Sequence, residues 1–371
     1  MRIWHSGAYW SPNEVNGVNA LIYSVAREQV GLGHDVSLVI DNSPDEAAQR
    51  FAQETGVRFL QLPAGWLSLI SELSKALREG PPDIVHMHSV FIPRQAILCT
   101  MLRRRSIPFV VTPHGGLSPY ILARSRWKKV LYCRFIERPR FHKAAGISVV
   151  TSRERDEVLS FVPGFERPIR CIPNAVESGQ LEGYDWCPPT LPKVTYLGRF
   201  DIVHKGLDLL LELARRSPHI EFHLYGPDDQ TSRNISGELA KSSSSNVSFH
   251  LPVYGTEKAK VLANSTLYIQ MSRWEAFGIS IAEAMYLGLP CAVASSAHIS
   301  SLFDEHGLGL VMPPDLAAAP EVLHNAISDL AQLEIWSSKA KQFAHSNFHP
   351  RAVALGFVEF YQVCISHQQK E

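Results

Sequence analysis

The sequence predicts an α/β protein made of two doubly wound domains in series, and three observations predict it. Short apolar runs alternate with amphipathic stretches from end to end, the pattern of repeated strand–helix units around parallel sheets. At 371 residues and 45% hydrophobic, the chain exceeds the roughly 250–300 residues at which a single core stops growing. The alternation lapses over 177–193, ESGQLEGYDWCPPTLPK, where paired prolines and two glycines oppose both helix and sheet.

The first series runs through strands at Arg2–Ser6, Asp35–Ile40, Asp83–His88, Pro108–Thr112 and Gly146–Val150. Between them lie helical stretches such as Val18–Leu32 and Leu67–Arg78, with apolar residues three and four apart. After the lapse come a strand at Val194–Leu197, a helix at Gly206–Arg216, strands at Ile220–Tyr225, Val247–His250 and Leu267–Gln270, a helix from Ile279 to Leu287, and a strand at Cys291–Ala294. This divides the chain into a first domain over 1–180, a linker over 181–192, a second domain over 193–349 and a strongly amphipathic last helix over 350–371. Two such domains predict a cleft between them, lined by the loops that follow strands, because open parallel sheets bind ligands beyond the carboxyl ends of their strands.

Charge and cysteine usage narrow the function classes. Lys plus Arg equals Asp plus Glu at 36 each, which gives no nucleic-acid footprint. Residues 1–180 nevertheless carry 22 basic and 16 acidic side chains, or +6, leaving −6 for 181–371, so the first half is the one suited to an anionic partner. The six cysteines show no C-x-x-C pair and no zinc-like spacing, and read as reduced thiols of a cytoplasmic protein. The start, MRIWHSGAYW, lacks a signal-peptide core, and no apolar run reaches the roughly 20 residues a membrane span needs.

The chemistry concentrates after the strand at 267–270, in MSRWEAFGISIAEAMYLGLP. Glu275 falls in the strand-to-helix loop and Glu283 in the first turns of the helix that opens near Gly278. A helix N-terminus offers amides and a positive dipole end to a diphosphate. A carboxylate that accepts two hydrogen bonds suits the vicinal hydroxyls of a ribose, the role for Glu283, while Glu275 is placed to hold sugar hydroxyls. Taken alone, two glutamates at this spacing more often cap a helix and line its wet face. Arg199 in YLGRFD and Lys205 in HKGLDLL add two cations on one strand-to-helix loop, as neutralising a leaving diphosphate requires.

The combination GR…KG, then E-A-F-G with a second Glu eight positions on, then EAM..G.P, resembles the retaining GT-B glycosyltransferases of family 4, and the resemblance covers essentially the whole chain. GHDVSLV, PDIVHMH, TPHGG and CIPNAV extend it through the first half. It implies two facing Rossmann-like domains with the last helix crossing back to the first. It also implies Glu283 on the ribose; Glu275, Phe277, Gly278 and Ile279 on the donor sugar; Arg199 and Lys205 on the diphosphate; and His114, in VVTPHGGLSP, as a catalytic-side contact to the sugar alongside Glu275. Gly17, which opens the first long helix, is the remaining diphosphate candidate; Asn16 stands where the family usually has a first glycine, and Ala175 where it has a glycine after Pro173-Asn174.

No D-x-D triplet occurs, so no metal is expected, and no cofactor beyond a nucleotide diphosphate sugar as co-substrate. Front-face transfer needs no side-chain base. An inverting reaction would, and His5, His86 and His88 are then the candidates. The acceptor side offers Arg103-Arg104-Arg105 and the basic, apolar stretch over 122–135, which fits either an anionic bilayer or packing on its own sheet. With the resemblance to surface-polysaccharide assembly enzymes, the expected partners are a UDP- or GDP-sugar, a glycan or polyprenyl-diphosphate-linked acceptor and the inner face of the cytoplasmic membrane. A GT-B nucleotide-sugar epimerase and a catalytically silent sugar- or lipid-binding scaffold are the rival readings. A nicotinamide dehydrogenase is disfavoured because Gly31-Leu-Gly33 lacks a third glycine and follows a helix.

Overall fold

The structure is a computed structural model that describes residues 1–13, 16–63, 65–123, 126–227, 229, 234–237, 239 and 244–369, with the backbone alone at 120, 123 and 126–128. Glu14 and Val15 of the SPNEVNG loop, Arg124 and Ser125 of the basic stretch, and Asp228 of the acidic pair lie outside the described residues. The chain forms two compact units, Met1–Ala175 with Pro350–Glu371, and Val176–His349.

In the first unit, β1 (Arg2–Ser6), β2 (Asp35–Ile40), β3 (Arg58–Gln61), β4 (Ile84–His88), β5 (Phe109–Thr112), β6 (Gly146–Val149) and β7 (Ile169–Cys171) make one parallel sheet in the order β3-β2-β1-β4-β5-β6-β7. The central strands read as unbroken apolar or buried runs because both sheet faces are covered. One face is packed by Leu69, Leu73, Leu98, Leu102, Phe141 and Val158. The other carries Leu21, Ile22 and Val25 of the helix Gly17–Gly31 and Val353, Phe357, Phe360 and Tyr361 of the helix Pro350–Gln368. That last helix sits directly on the sheet: a Cβ at Gly146 would lie 2.4 Å from Cys364 Sγ and 2.7 Å from Phe360 Cζ, so only glycine admits it there.

In the second unit, β8 (Lys193–Leu197), β9 (Glu221–Tyr225), β10 (Val247–His250), β11 (Leu267–Gln270), β12 (Cys291–Ala294) and β13 (Leu310–Met312) form a parallel sheet in the order β10-β9-β8-β11-β12-β13. Each sheet thus reverses its winding once, between β1 and β4 in the first unit and between β8 and β11 in the second. Those reversals are the switch points beyond which doubly wound sheets bind ligands.

The segment expected as a linker is part of the second unit. Trp186 donates its indole N–H to Ser265 O at 2.9 Å, and the amides of Trp186 and Cys187 bond Leu287 O and Ala263 O at 3.1 and 2.9 Å. Its prolines and glycines do prevent regular structure, but the tryptophan among them is large enough to anchor the segment on the core beside it. The first division between units falls instead at 175/176, and the second falls at 349/350, where the last helix begins.

Candidate functional site

In the second unit the two loops at the switch point carry the predicted cations and Glu275. Residues after β8 run through Arg199 and Lys205 to Gly206, and residues after β11 run through Glu275 to Gly278. The loops touch. Gly206 has φ +65°, and a Cβ there would lie 2.0 Å from Met271 O, so the first loop can lie against the second only without a side chain. The Arg273 amide bonds His204 O at 3.0 Å, and its guanidinium grips both carboxylate oxygens of Asp208 at 2.7 and 2.6 Å.

This approach seats Lys205 Nζ 2.5 Å from Glu275 Oε2, with Gln270 Nε2 donating to the same oxygen at 2.5 Å. The lysine and glutamate side chains are 14% and 12% exposed, so the pair is screened from water yet still reachable. His204 sits among Lys205, Glu275, Asp201 and Arg199; burial first, then the Lys205 charge, lower its pKa. Arg199 is exposed and makes no ion pair among the described residues.

Gly278, at φ +79°, ends the second loop and opens the helix Ile279–Tyr286. The Phe277 ring is buried against Phe348, centroids 5.1 Å apart, so Phe277 can present only its backbone to a ligand. Glu283 lies on that helix, 7% exposed, and accepts from Lys258 Nζ at 2.5 Å. Three cations therefore accompany two carboxylates around a helix N-terminus, an arrangement that suits a ligand with two or more negative charges.

His114 and Gly17 belong to the first unit. His114 follows β5, half-buried, in left-handed backbone at φ +51°, and burial pushes its pKa down to about 3, partly opposed by the neighbouring Asn174 amide. It is a neutral imidazole. Its ring closes a hydrogen-bonded series: Gln29 Oε1 to His5 Nε2 at 2.8 Å, His5 Nδ1 to His88 Nε2 at 3.0 Å, and His88 Nδ1 to His114 Nε2 at 3.0 Å. His86 stands beside the series, bonded to Tyr361 OH and Thr112 Oγ1 at 2.6 Å each. His5, His86 and His88 bring ligand atoms within 4.8 Å of one another. All six of their ring nitrogens are already engaged, however, and the rings are fully buried. The three histidines considered as side-chain bases thus have no nitrogen to offer an acceptor. At Gly17, Asn16 caps the helix and its Oδ1 takes the amides of Val18 and Asn19 at 2.8 and 3.4 Å. The asparagine occupies helix-end donors that a glycine would leave open to a phosphate.

Residues 16–175 match the family model "Glycosyl transferase 4-like domain" and residues 188–346 the model "Glycosyl transferases group 1", which together span most of the chain. The chain is a glycosyltransferase related to the 4-like and group 1 glycosyl transferase families. It is 27% identical over 307 residues to a phosphatidyl-myo-inositol mannosyltransferase of Propionibacterium freudenreichii, covering 74% of this chain and 73% of that protein. It is 26% identical over 330 residues to a GDP-mannose:cellobiosyl-diphosphopolyprenol alpha-mannosyltransferase of Xanthomonas campestris, covering 85% and 84%. Among solved structures it resembles sucrose-phosphate synthase from Thermosynechococcus elongatus (TM-score 0.79, 18% identity, 99% of both chains) and Anabaena Alr3699/HepE in complex with UDP and glucose (TM-score 0.73, 15% identity, 98% and 99%). The fold of this glycosyltransferase is GT-B, two Rossmann-like domains.

Several residues that shape the site of this glycosyltransferase escaped the sequence reading. Lys258, the partner of Glu283, lies in the first turn of the helix Gly255–Ala263 with no local signal of its role. Buried Glu154 accepts from the amides of Gly115 and Val150 and so clamps the loop that carries His114. Here a signal did exist, since Thr151-x-x-Glu154 is a capping-box pattern. The loop after β4, with Ser89 and Phe91 at φ +67° and +62°, is held by the buried pair Glu137–Arg140: Phe91 N donates to Glu137 at 2.9 Å, and Arg140 donates to Ser89 O at 3.1 Å and Gln95 Oε1 at 2.7 Å. Glu137 closes a π-helical turn, Cys133–Glu137, an irregularity that often marks functional regions.

Proposed function

We propose that this glycosyltransferase moves a hexose-type sugar from a UDP- or GDP-sugar to a lipid-linked glycan in cell-surface polysaccharide assembly, with retention of configuration. The observation that carries the reading is the convergence at one switch point of Lys205 on Glu275, Lys258 on Glu283, exposed Arg199 and the helix opening at Gly278. A nucleotide diphosphate fits that set: Arg199, Lys205 and the helix amides take the diphosphate, and Glu283 takes the ribose hydroxyls by exchanging its contact with Lys258. Glu275 and the backbone of Phe277, Gly278 and Ile279 take the sugar. His114 and Gly17 are assigned to the sugar and the diphosphate on the family resemblance alone, Gly17 the more weakly because Asn16 already caps its helix.

In the front-face reaction the bond from C1 to the diphosphate oxygen breaks and the acceptor oxygen bonds C1 on the same face. The acceptor proton passes to the departing phosphate oxygen, whose charge Lys205 and Arg199 stabilise. Neutral His114, and the fully engaged His5, His86 and His88, favour this course over one with a histidine base.

Contact with an anionic membrane is supported by Val130, Leu131 and Phe135, which are 60%, 50% and 67% exposed, beside a pocket of about 220 Å³ lined by Lys129, Arg134 and Arg138. No helix among the described residues is long and apolar enough to cross a membrane. Basic side chains around exposed apolar ones suit the headgroup boundary of an anionic leaflet.

The test is release of nucleotide from purified protein across UDP- and GDP-sugars, with and without a lipid extract, with Glu275→Ala and Lys205→Ala as controls. Release from one donor, raised by the extract and abolished in both variants, is the expected result. Absence of both turnover and donor binding by calorimetry would leave the silent scaffold as the better reading, and a free epimerised nucleotide sugar without acceptor would favour the epimerase.

A further inference from the structure

The crossover helices of a parallel sheet run against its strands, so their last turns gather at the edge where the strands begin. In the first unit the helix Pro93–Arg103 ends ahead of β5, the helix Arg138–Lys143 ends ahead of β6, and Arg167 stands two residues ahead of β7. Arg103, Lys143 and Arg167 line one hollow of about 190 Å³ together with Ser106 and with Gln368, the last residue of the helix Pro350–Gln368. The hollow lies at the opposite edge of the sheet from His114, which follows β5. Of the run Arg103-Arg104-Arg105, Arg103 is the member that lines it.

Three cations meet here, and no described residue that lines the hollow is acidic. Basic side chains are common at helix ends because the last carbonyls leave about half a negative charge there. Three helix ends account for about −1.5, half of the positive charge present. Arg167 already serves one of them: its Nη1 donates to His142 O and Ala144 O at 2.9 and 3.3 Å. The helix before β5 is closed by its own backbone, the amides of Ser106 and Ile107 bonding Arg103 O and Leu102 O at 3.1 and 3.0 Å. Arg103 and Lys143 are exposed, and their side chains make no hydrogen bond or ion pair among the described residues. Hydrogen-bonding groups stand beside the cations. Ser106 sits in left-handed backbone at φ +54°, where glycine is the unstrained choice, and Oε1 of Gln368 is buried without a partner among the described residues. Ser106, Pro108 and Gln368 also line an adjoining hollow of about 650 Å³, which leaves room for the rest of a molecule held by its charge.

The geometry points to a second anion site at this edge of the first unit, where Arg103, Lys143 and Arg167 bind the phosphate group of a phosphate monoester, free in solution or carried on a lipid headgroup. A monoester brings about −1.5 to −2 charge near neutral pH, which matches the surplus of about +1.5 better than the single charge of a diester. The site is separate from the donor site of the second unit and is tested without it. Calorimetry with inorganic phosphate and with glycerol 3-phosphate is run in Lys205→Ala, which takes a cation from the donor site, at an ionic strength held constant with chloride. The expected result is one phosphate bound per chain, weakened about tenfold or more when Arg103→Gln and Lys143→Gln are added. Arg103→Lys with Lys143→Arg, which keeps both charges, should retain the binding and show that a loss is not misfolding. Phosphate should likewise raise the Tm of Lys205→Ala but not that of the variant with both glutamines. No binding in Lys205→Ala, or binding that the two glutamines leave unchanged, overturns the inference. Flotation with phosphatidylcholine vesicles, with and without phosphatidic acid, then identifies the source. Flotation that depends on phosphatidic acid and is lost with the two glutamines assigns the site to a lipid headgroup; flotation that they leave unchanged, with glycerol 3-phosphate binding lost, assigns it to a soluble monoester.

Discussion

Gly206→Ala tests whether the close approach of the two loops in the second unit makes the donor site. The alanine Cβ would lie 2.0 Å from Met271 O, against 3.4–4 Å for an ordinary contact, and 2.9 Å from Met271 C. Both obstacles are backbone, so no side chain can swing aside. Relief requires the loops to part by about 1 Å, a misplacement that costs on the order of 100-fold in rate where catalytic groups must be held in register. The φ of +65° adds a conformational cost of about 1–2 kcal/mol for any side chain. Gly183→Ala separates these effects: its φ is +82° in the same unit, and nothing lies within 4 Å of the added methyl. Both variants should lose a few degrees of Tm, but Gly206→Ala alone should lose roughly two orders of magnitude in kcat/KM, measured by nucleotide release. Wild-type kcat/KM in Gly206→Ala would refute the claim that the loop contact seats Lys205 on Glu275.

Three further outcomes are expected. Glu283→Gln should weaken nucleotide binding about tenfold or more by calorimetry, and it should remove the preference for the ribose over the 2′-deoxyribose form; a preference unchanged from wild type would take Glu283 off the ribose. Arg140→Met, which leaves Glu137 buried without its cation, should cost about 3–5 kcal/mol in urea unfolding. Adding Glu137→Gln should recover part of that loss, and an additive double variant would deny the pair its coupling. Stability should also fall with acid. His5 titrates near pH 4 when folded and His86 and His88 lower than usual, all because burial disfavours the charged ring. The unfolded chain therefore takes up protons first, and the stabilisation, complete above about pH 6.5, drains away as pH drops toward 4; for His5 it amounts to about 3 kcal/mol. Urea midpoints from pH 7.5 to 5 check this, with His5→Gln flattening the slope by about one proton.

The second unit's site was legible in the sequence because its residues sit at fixed distances from strand ends. A strand, a glycine with positive φ and a helix start define where a loop residue stands. Arg199, Lys205, Glu275, Gly278 and Glu283 could therefore be placed along the chain once β8 and β11 were recognised. That the two loops meet follows from strand order, in which β11 lies next to β8 although β9 and β10 intervene in sequence. No local pattern states that adjacency. For the same reason Lys258 was invisible: it reaches Glu283 from the helix that follows β10, and a lysine in the first turn of a helix carries no sign of its partner.

The first unit shows a different limit. His5, His86, His88 and His114 were all noticed, but each was weighed separately, three as possible bases and one as a sugar contact. What relates them is register. Parallel pairing sets His5 beside His86, the two-residue period of β4 brings His88 to the same face, and β5 delivers His114 one loop later. A histidine is judged in a sequence by what it can donate or accept alone, whereas in this sheet each ring's proton is assigned by its neighbour. The buried amide of Gln29, an unremarked residue in a helix, begins a hydrogen-bonded series that ends on His114 three links away, and a relation of that kind becomes readable only when strand order is known.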